Sequence, residues 1–360
     1  MPEKGDKDMI IYLINIALII FWRLFFTQKR FANARKLYCI VVAIQWILLS
    51  GLRDWSIGAD TYNYYTIFER VKDMTWGEVF AGFANLYTPG LGVADSGYTL
   101  LTKVFQIFFP HYQLFLLAIA ILFMGLMARW IYKYSASPCT SFLIFSTLFY
   151  SFFAITGHRQ TIATALIVFA GYDLIREKKF WSFLGVAGIS FLIHKSSVVF
   201  IPFCFLTLIP VTSAYKYICA GGVAIVALLG KKLYVPIALL LGYSENQVDS
   251  AIGGAELFAV LLIVLCVVTW FFYSQIKRHR EDADHLFHAL SLAMASALLA
   301  IQNQGFMRIQ QYFSVFIMLT VPELINVIKR EYRILGYLAF GAVMIFYLIQ
   351  NDPAYRFFFM

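Results

Sequence analysis

Several cationic side chains stand at the ends of long apolar runs, where their type and position make them candidates for chemistry. Arg159 and Arg308 have no acidic neighbour in the sequence, and an arginine at the edge of a membrane costs a few kcal/mol unless it is paired. The flat guanidinium group donates two parallel hydrogen bonds to a phosphate. We therefore predict that Arg159, Arg308, Arg53 and Lys195 converge on an anion, either an acid of segment 53–110 or the diphosphate of a lipid. The alternative is that each cation reaches the lipid headgroups alone.

His194 lies in an otherwise apolar stretch, FLIHKSSVVFIP. It is a candidate proton acceptor for a sugar hydroxyl, because imidazole titrates near neutral pH. The alternative is a core histidine that is hydrogen-bonded to a backbone carbonyl. His158 and Gln160 flank Arg159 in the turn GHRQ, and we expect them on the same face of the membrane as His194.

The stretch LRDWSIGADTYNYY is a candidate sugar-binding surface. Sugar rings stack on aromatic faces, and the stretch offers four: Trp55, Tyr62, Tyr64 and Tyr65. It also offers polar partners for sugar hydroxyls: Asp54, Asp60 and Asn63. The alternative interpretation is an aromatic belt at the membrane interface.

A D-x-D pattern at Asp282 and Asp284 has a spacing that can hold a metal ion with a diphosphate. It lies in a charged stretch with three histidines close by, His279, His285 and His288. We interpret these residues as a solvated surface and predict no metal and no cofactor. The five cysteines lie in or beside apolar runs without a C-x-x-C pair, which indicates core packing.

The composition decides which elements must position these residues. The 360 residues are 61% hydrophobic and 14% charged, whereas soluble domains carry roughly 25% charged residues. Uninterrupted apolar runs indicate transmembrane helices and not the alternating strands of a barrel. The net charge of +9 is scattered between these runs, which argues against nucleic-acid binding.

Twelve runs approach the length that crosses a bilayer, so the sequence predicts an all-α, polytopic transmembrane bundle in a single domain, 1–360. The predicted spans are 9–27, 37–52, 111–130, 138–156, 160–175, 180–193, 196–210, 216–230, 255–274, 285–302, 308–327 and 333–350. Two shorter runs, 98–110 and 233–242, are predicted to be re-entrant or interfacial helices.

The distribution of lysine and arginine predicts the orientation of the spans. Five basic clusters fall on one side of this topology, which is therefore predicted to be cytoplasmic: 28–36, 129–133, 176–179, 277–280 and 329–333. Both termini and segment 53–110 then lie outside. We predict that segment 53–110 binds substrate and forms short helices that close over the arginines as a lid, with Gly90, Gly92 and Gly97 as hinges.

Four runs in this order resemble the EpsG family, the Wzy-type polymerases of bacterial exopolysaccharide and O-antigen. They are RDWSIGADTYNYYTIF, GHRQTIATALIVFAG, FLIHKSSVVFIP and RIQQYFSVFIMLTVPEL, and the resemblance extends over about residues 35–330. The positions that resemble the motif residues of the family are Arg53, Asp60, Arg159, Gln160, His194 and Arg308.

The resemblance implies a Wzy/GT-C-like glycosyltransferase in the bacterial cytoplasmic membrane, with its active site on the outer face. Its donor and acceptor would be glycan repeat units on undecaprenyl diphosphate, with no metal and no nucleotide sugar. A chain-length-regulating membrane protein is an optional further partner. Arg53, Arg159 and Arg308 would hold the diphosphate, and His194 or Asp60 would accept the proton of the acceptor hydroxyl.

Two other functions are open at this point. A flippase for the same lipid needs ionisable groups in mid-membrane and usually an internal repeat, and the sequence displays neither pattern. A membrane O-acyltransferase would place a catalytic histidine where its acyl donor binds, and His194 is compatible with that role.

Overall fold

The computed structural model describes residues 6–27, 33–84, 86–88, 92–93, 95–240, 256–350 and 354–359. Nearly all of the described chain is helical, apart from turns and one ribbon of two short antiparallel strands, β1 (Tyr87–Thr88) and β2 (Gly92–Val93). The predicted all-α, polytopic class is therefore confirmed.

The helices follow the predicted apolar runs closely. The first half of the chain contains α1 (Asp6–Phe26), α2 (Ala34–Gly51), α3 (Thr61–Asp73), α4 (Trp76–Ala84), α5 (Ser96–Phe108), α6 (Tyr112–Tyr134), α7 (Pro138–Ile144), α8 (Arg159–Thr164) and α9 (Gly171–Arg176). The second half contains α10 (Phe180–Ile193), α11 (Ile201–Leu206), α12 (Ser213–Leu240), α13 (Glu256–His279), α14 (Ala283–Gln302), α15 (Met307–Ser314), α16 (Ile317–Val327) and α17 (Arg333–Gln350).

Seven helices of the described chain are long and apolar enough to cross a membrane, by length and composition. They are Met9–Phe26, Ala34–Gly51, Tyr112–Tyr134, Ser213–Gly230, Glu256–His279, Ala283–Gln302 and Arg330–Gln350. The other five predicted spans also fall on helical segments, but these are short or broken by π-helical and 3-10 turns. The prediction of about twelve spans missed these breaks because hydropathy does not report the pattern of backbone hydrogen bonds.

The two short apolar runs behave differently from each other. The run 98–110 is helix α5, whose 13 residues are too few to cross a bilayer. Of the run 233–242, residues 233–240 lie in a second, short helical segment of α12, which a kink at Gly230 separates from the apolar segment Ser213–Gly230. Residues 241–242 lie outside the described residues. Gly230 has φ 26° and ψ −100°, a conformation that glycine adopts at low cost.

Three π-helical stretches bracket the turn that carries Arg159: Phe145–Phe149, Ser151–Thr156 and Ala165–Ala170. The wide turns leave backbone groups that need other partners, and Ser50 Oγ donates to the carbonyl of Ala154 at 2.6 Å. At the end of the Ser151–Thr156 stretch, the amide of Gly157 donates a hydrogen bond to the carbonyl of Phe152 at 2.7 Å. Such turns are rare and often lie at functional sites.

The contacts divide the bundle into two ends. At one, which we call the basic end, Arg35 Nε donates to the carbonyl of Tyr132 at 3.0 Å and Arg280 Nη1 to that of Tyr134 at 2.8 Å. Helix α2 has 18 residues and is therefore about 27 Å long, so residues 52–54 lie at the opposite end. The C-terminal residues pair with them there, since the amide of Phe358 donates to the carbonyl of Leu52 at 3.0 Å.

The D-x-D pattern lies at the basic end, but its carboxylates serve different partners. Asp282 pairs with Arg176 at 2.6 Å and Arg280 at 2.8 Å, and accepts a hydrogen bond from Tyr172 at 2.7 Å. Asp284 instead pairs with Lys277. The pattern is therefore a structural ion-pair network.

The interpretation of this stretch as solvated surface is wrong for most of its residues. Asp282 and Arg280 are buried, and His288 is 1% exposed with its Nε2 2.9 Å from the carbonyl of Ile209. His285 contacts Tyr172, and His279 alone among the three histidines is exposed.

The Asp282 network predicts a pH-dependent stability. Burial alone would raise the pKa of Asp282, but the charge of Arg280 and the hydrogen bond from Tyr172 outweigh it and lower the pKa to about 2. The stabilisation is thus complete above the unfolded-state pKa of about 3.9 and is lost as the pH falls toward 2, and it amounts to about 2–3 kcal/mol.

The free energy of unfolding of Asp282→Asn at pH 7 should therefore be about 2–3 kcal/mol lower than that of the parent chain. The difference should narrow to nearly zero at pH 2, as followed by thermal unfolding in detergent. Glu281→Gln is the matched control, because the Glu281 side chain is 95% exposed. A difference between Asp282→Asn and the parent that stays constant with pH would contradict the assignment.

Candidate functional site

An ion pair between Arg159 and Asp95 lies at the end of the bundle opposite the basic end. Arg159 is the first residue of α8, and its Nη1 donates to Oδ2 of Asp95. Asp95 immediately precedes α5, and its side chain is 10% exposed. Of the two anions that the sequence left open, an acid of segment 53–110 therefore meets Arg159 in this structure.

His194 and Lys195 complete this cluster. His194 Nδ1 lies 3.8 Å from Oδ2 of Asp95, and the backbone amide of Lys195 donates to Oδ1 at 3.4 Å. His194 ends α10 and is 6% exposed. Neither of its ring nitrogens has a hydrogen-bond partner within the described chain. The alternative of a core histidine bonded to a backbone carbonyl is therefore not what this structure contains.

The charges around this cluster set two protonation states. Burial would raise the pKa of Asp95, but the neighbouring His194 ring and the Arg159 guanidinium outweigh it and lower that pKa. Burial lowers the pKa of His194; Asp95 opposes this, and the charges of Arg159 and Arg308 reinforce it. Asp95 is therefore ionised and His194 neutral at pH 7, and a neutral imidazole can accept a proton.

A second layer of residues lies beneath Arg159. Tyr64 stacks on His158 with ring centroids 4.3 Å apart, and the Arg159 guanidinium lies 5.5 Å from the Tyr64 centroid. Arg53 Nη2 is 3.1 Å from Nε2 of His158, and Tyr98 Oη is 3.4 Å from its Nδ1. Arginine only donates, so His158 accepts at Nε2 and carries its proton on Nδ1.

Arg53 and His158, both predicted to bind substrate, are 3% and 0% exposed. They are buried under Arg159 and contact each other, so in this structure their role is to support the cluster from within the protein. Tyr64 also points inward, at 6% exposure, and is not part of an open sugar-binding surface.

Gln160 and Arg308 connect α8 to α15. The Gln160 side-chain amide donates to the Arg308 carbonyl at 2.6 Å, which ties α8 to α15. The Arg308 side chain is exposed and forms no ion pair with an acid in the part of the chain that the structure describes. Ser196 and Tyr312, whose hydroxyls are 3.2 Å apart, make a second link to α15.

Asp54 and Asp60 lie apart from the Asp95 cluster. Asp54 pairs with Arg356 at 3.2 Å and accepts the amide of Ser56 at 2.9 Å, so it holds the C-terminal residues. Asp60 precedes α3, and its carbonyl accepts the amide of Tyr64 at 3.2 Å. Among the described contacts, its side chain reaches neither Arg159 nor His194.

Three aromatic side chains of the predicted sugar-binding surface do gather together. Trp55 stacks on Tyr65 with centroids 4.7 Å apart, and Tyr62 lies 6.1 Å from Trp55. Trp55 is 38% and Tyr62 63% exposed. We name Trp55, Tyr62 and Tyr65 the aromatic patch. Helix α3 carries Tyr65 beside Tyr64, so the patch and the Arg159 cluster share one helix.

A cleft of about 250 Å³ adjoins Asp95 and Arg159. Helices α3, α4 and α5 of segment 53–110 form most of its wall, with charged side chains from Arg70 and Glu78. The sequence did not single out Arg70, Glu78, Tyr98 or Asp95 as site residues. A signal was available for Asp95, which is an acid directly before an amphipathic helix in a segment expected to face the arginines.

Gly97 holds α5 against α10 and is not placed as a hinge. A Cβ at Gly97 would lie 2.7 Å from the backbone of Leu192, two residues before His194. Gly92 belongs to strand β2, and Gly90 lies outside the described residues. The close approach at Gly97 brings Asp95 and His194 together.

Comparison with known proteins gives one match that covers most of the chain. The sequence model of the EpsG family matches residues 35–356. No individual curated protein and no solved structure matches the chain.

The Asp95–Arg159 pair predicts a measurable coupling. Asp95→Asn leaves Arg159 without its anion, and breaking a buried pair is strongly destabilising. Because the Arg159 side chain is 32% exposed, we expect a loss of only about 1–2 kcal/mol. Asp60→Asn, which removes a carboxylate without an ion pair in the described chain, should change stability by less than about 0.5 kcal/mol.

A double-mutant cycle with Asp95→Asn and Arg159→Gln, followed by thermal unfolding, tests the pair. The double variant should lose less free energy of unfolding than the sum of the two single losses, with a coupling energy of about 1 kcal/mol or more. Strictly additive losses would mean that the two side chains do not interact in solution.

Proposed function

The chain belongs to the EpsG family, whose members are Wzy-like polysaccharide polymerases, and from this premise we propose the reaction and the residues that perform it. In this proposal, the protein joins repeat units that are carried on undecaprenyl diphosphate, and it does so at the non-cytoplasmic face of the bacterial cytoplasmic membrane. The observation that carries this proposal is His194, a buried neutral imidazole with two unpartnered ring nitrogens, beside the Asp95–Arg159 pair and close to Arg308.

The reaction is a displacement at the anomeric carbon of the donor sugar. The hydroxyl oxygen of the acceptor forms the new glycosidic bond, the bond from carbon to the diphosphate oxygen breaks, and the electron pair leaves with the diphosphate. His194 takes the hydroxyl proton as general base. Asp95, 3.8 Å from Nδ1, stabilises the imidazolium that results.

The leaving diphosphate gains negative charge, which Arg159 and Arg308 would stabilise. Arg159 uses Nη1 for Asp95, while its Nε has no hydrogen-bond partner in the described chain. The exposed side chain of Arg308 is not committed to an acid. Positive groups that are already in place where charge develops stabilise a transition state strongly, because little reorganisation is needed.

Substrate access requires segment 53–110 to move. The His194 ring nitrogens and Arg159 Nε are buried and unpartnered, so a ligand reaches them only after a small opening. Helices α3, α4 and α5 cover this side of the cleft. We assign the segment a lid function and the described state to its closed form, with the aromatic patch on α3 holding sugar rings.

Replacing His194 separates catalysis from lipid binding. His194→Ala should lower polymer formation on the order of 10² to 10⁴-fold, the usual cost of removing a general base, and leave binding of the carrier lipid largely unchanged. Arg159→Lys keeps the charge but loses the planar fork. It should weaken both lipid binding and polymer formation, the latter by roughly 10- to 100-fold.

The assay is glycan chain length in cells that lack the native gene, together with binding of undecaprenyl diphosphate to the purified variants. His279→Ala is the matched control, since His279 is exposed at the basic end. Normal chain lengths from a well-expressed His194→Ala variant would remove His194 from the mechanism and make Asp95, the carboxylate beside Arg159, the next candidate base.

The proposed orientation is tested by cysteine labelling. Asn63 is exposed on α3 and Lys178 is exposed at the basic end, whereas Ser96 is 4% exposed and unsuitable. In a background with the five native cysteines replaced by alanine, Asn63→Cys should react with an impermeant maleimide applied outside the cytoplasmic membrane. Lys178→Cys should react only after that membrane is permeabilised. The reverse pattern would place the site in the cytoplasm.

A further inference from the structure

A groove of about 540 Å³ runs between α2 and α6, away from the Arg159 cluster. Its floor consists of small residues, Ala43 and Ala128, and a Cβ at Gly125 would meet nothing within 4 Å. Its wall includes Ile40 and Ile44, which are 44% and 49% exposed. The groove therefore opens on the outer surface of the bundle, where lipid chains lie in a membrane.

One end of the groove is cationic. Lys36, Arg129 and Lys133 line it at the basic end. Asp173 pairs with both Arg129 and Lys133, so a single carboxylate offsets part of the charge of the three cations. Lys36 is exposed and forms no ion pair with an acid in the described ranges. An excess of two positive charges therefore remains at this end.

Arg35 compensates the partial negative charge at the C-terminal end of α6. Arg35 donates to the carbonyl of Tyr132 from both Nε and Nη2, at 3.0 and 2.9 Å, and also to the carbonyl of Ser135. The free carbonyls of this helix end would otherwise repel an anion. With Arg35 in place, the groove mouth favours one.

The length of the groove matches one leaflet. Its lining on α2 extends from Lys36 to Ile47, which corresponds to about 16 Å at the helical rise of 1.5 Å per residue. Half of a hydrocarbon core of roughly 30 Å is about 15 Å. The groove therefore accommodates a single acyl chain whose headgroup lies at the basic end, and is too short for a long polyprenyl chain.

We propose that the groove between α2 and α6 is a binding site for an anionic phospholipid of the leaflet at the basic end, with the phosphate at Lys36, Arg129 and Lys133 and one acyl chain along Ile40, Ala43 and Gly125. The site is independent of the polymerase reaction. Its cations differ from those of the Arg159 cluster, and it lies at the other end of the helices.

Native mass spectrometry of the purified, delipidated protein tests this site. The protein is titrated with phosphatidylglycerol and with phosphatidylcholine of the same acyl chains, and the first bound lipid is compared. Phosphatidylglycerol should bind at least about fivefold more tightly, and Lys36→Gln should lower its affinity about fivefold, the effect expected of one lysine at a membrane surface. Equal affinity of the parent protein for both lipids would overturn the proposal.

A groove-filling variant tests the acyl chain. Gly125→Leu should weaken binding of both lipids, whereas the control Gly185→Leu, on the exposed face of α10 with open space around its Cβ, should not. Should Gly125→Leu fail to fold, Lys36→Gln still decides, because Lys36 is exposed. A third titration uses undecaprenyl phosphate: tighter binding of this lipid than of phosphatidylglycerol, abolished by Gly125→Leu, would overturn the assignment to a phospholipid.

Discussion

The ion pair between Arg159 and Asp95 is the interaction on which the arrangement of this end of the bundle depends. An arginine near a membrane boundary needs an anion, because a bare charge in a low-dielectric surrounding is expensive. Asp95 supplies the anion, and α5 must then lie close to α8 and α10. The absence of a side chain at Gly97 permits that approach. His194, Lys195 and Tyr64 take their positions around the pair.

This arrangement places a neutral base next to cations without a direct clash of charge. His194 stays uncharged because it is buried and faces Arg159 and Arg308, and Asp95 stays ionised for the same cationic reason. Both neighbouring groups are thus in their deprotonated forms, Asp95 as an anion and His194 as a neutral base. The buried Arg53–His158 contact beneath them links the end of α2 to the 157–160 turn. This link fixes the position of the turn that carries Arg159.

The two ends of the bundle use charge in different ways. At the basic end, Asp282, Arg280, Arg176 and Glu323 form a network of ion pairs that joins helices α9 and α16 to the 280–282 turn. At the opposite end, ring nitrogens of His194 and Nε of Arg159 remain without partners in the described chain. Pairing with an opposite charge offsets the cost of burying a charged group, whereas a buried polar atom without a partner costs free energy.

Composition and the length of the apolar runs determined the class of this protein and the approximate positions of its helices, because transfer into lipid depends mainly on residue type. The motif runs were sufficient to recognise the family. Side-chain partners were a different matter. Asp95, distant in sequence from His194, became part of the site only through the packing of α5 on α10, and Arg53 and His158 turned inward. The D-x-D carboxylates separated to different cations. Those outcomes depend on which helices meet and at what angle, and contacts over 60 to 100 residues of separation leave no local pattern in one sequence.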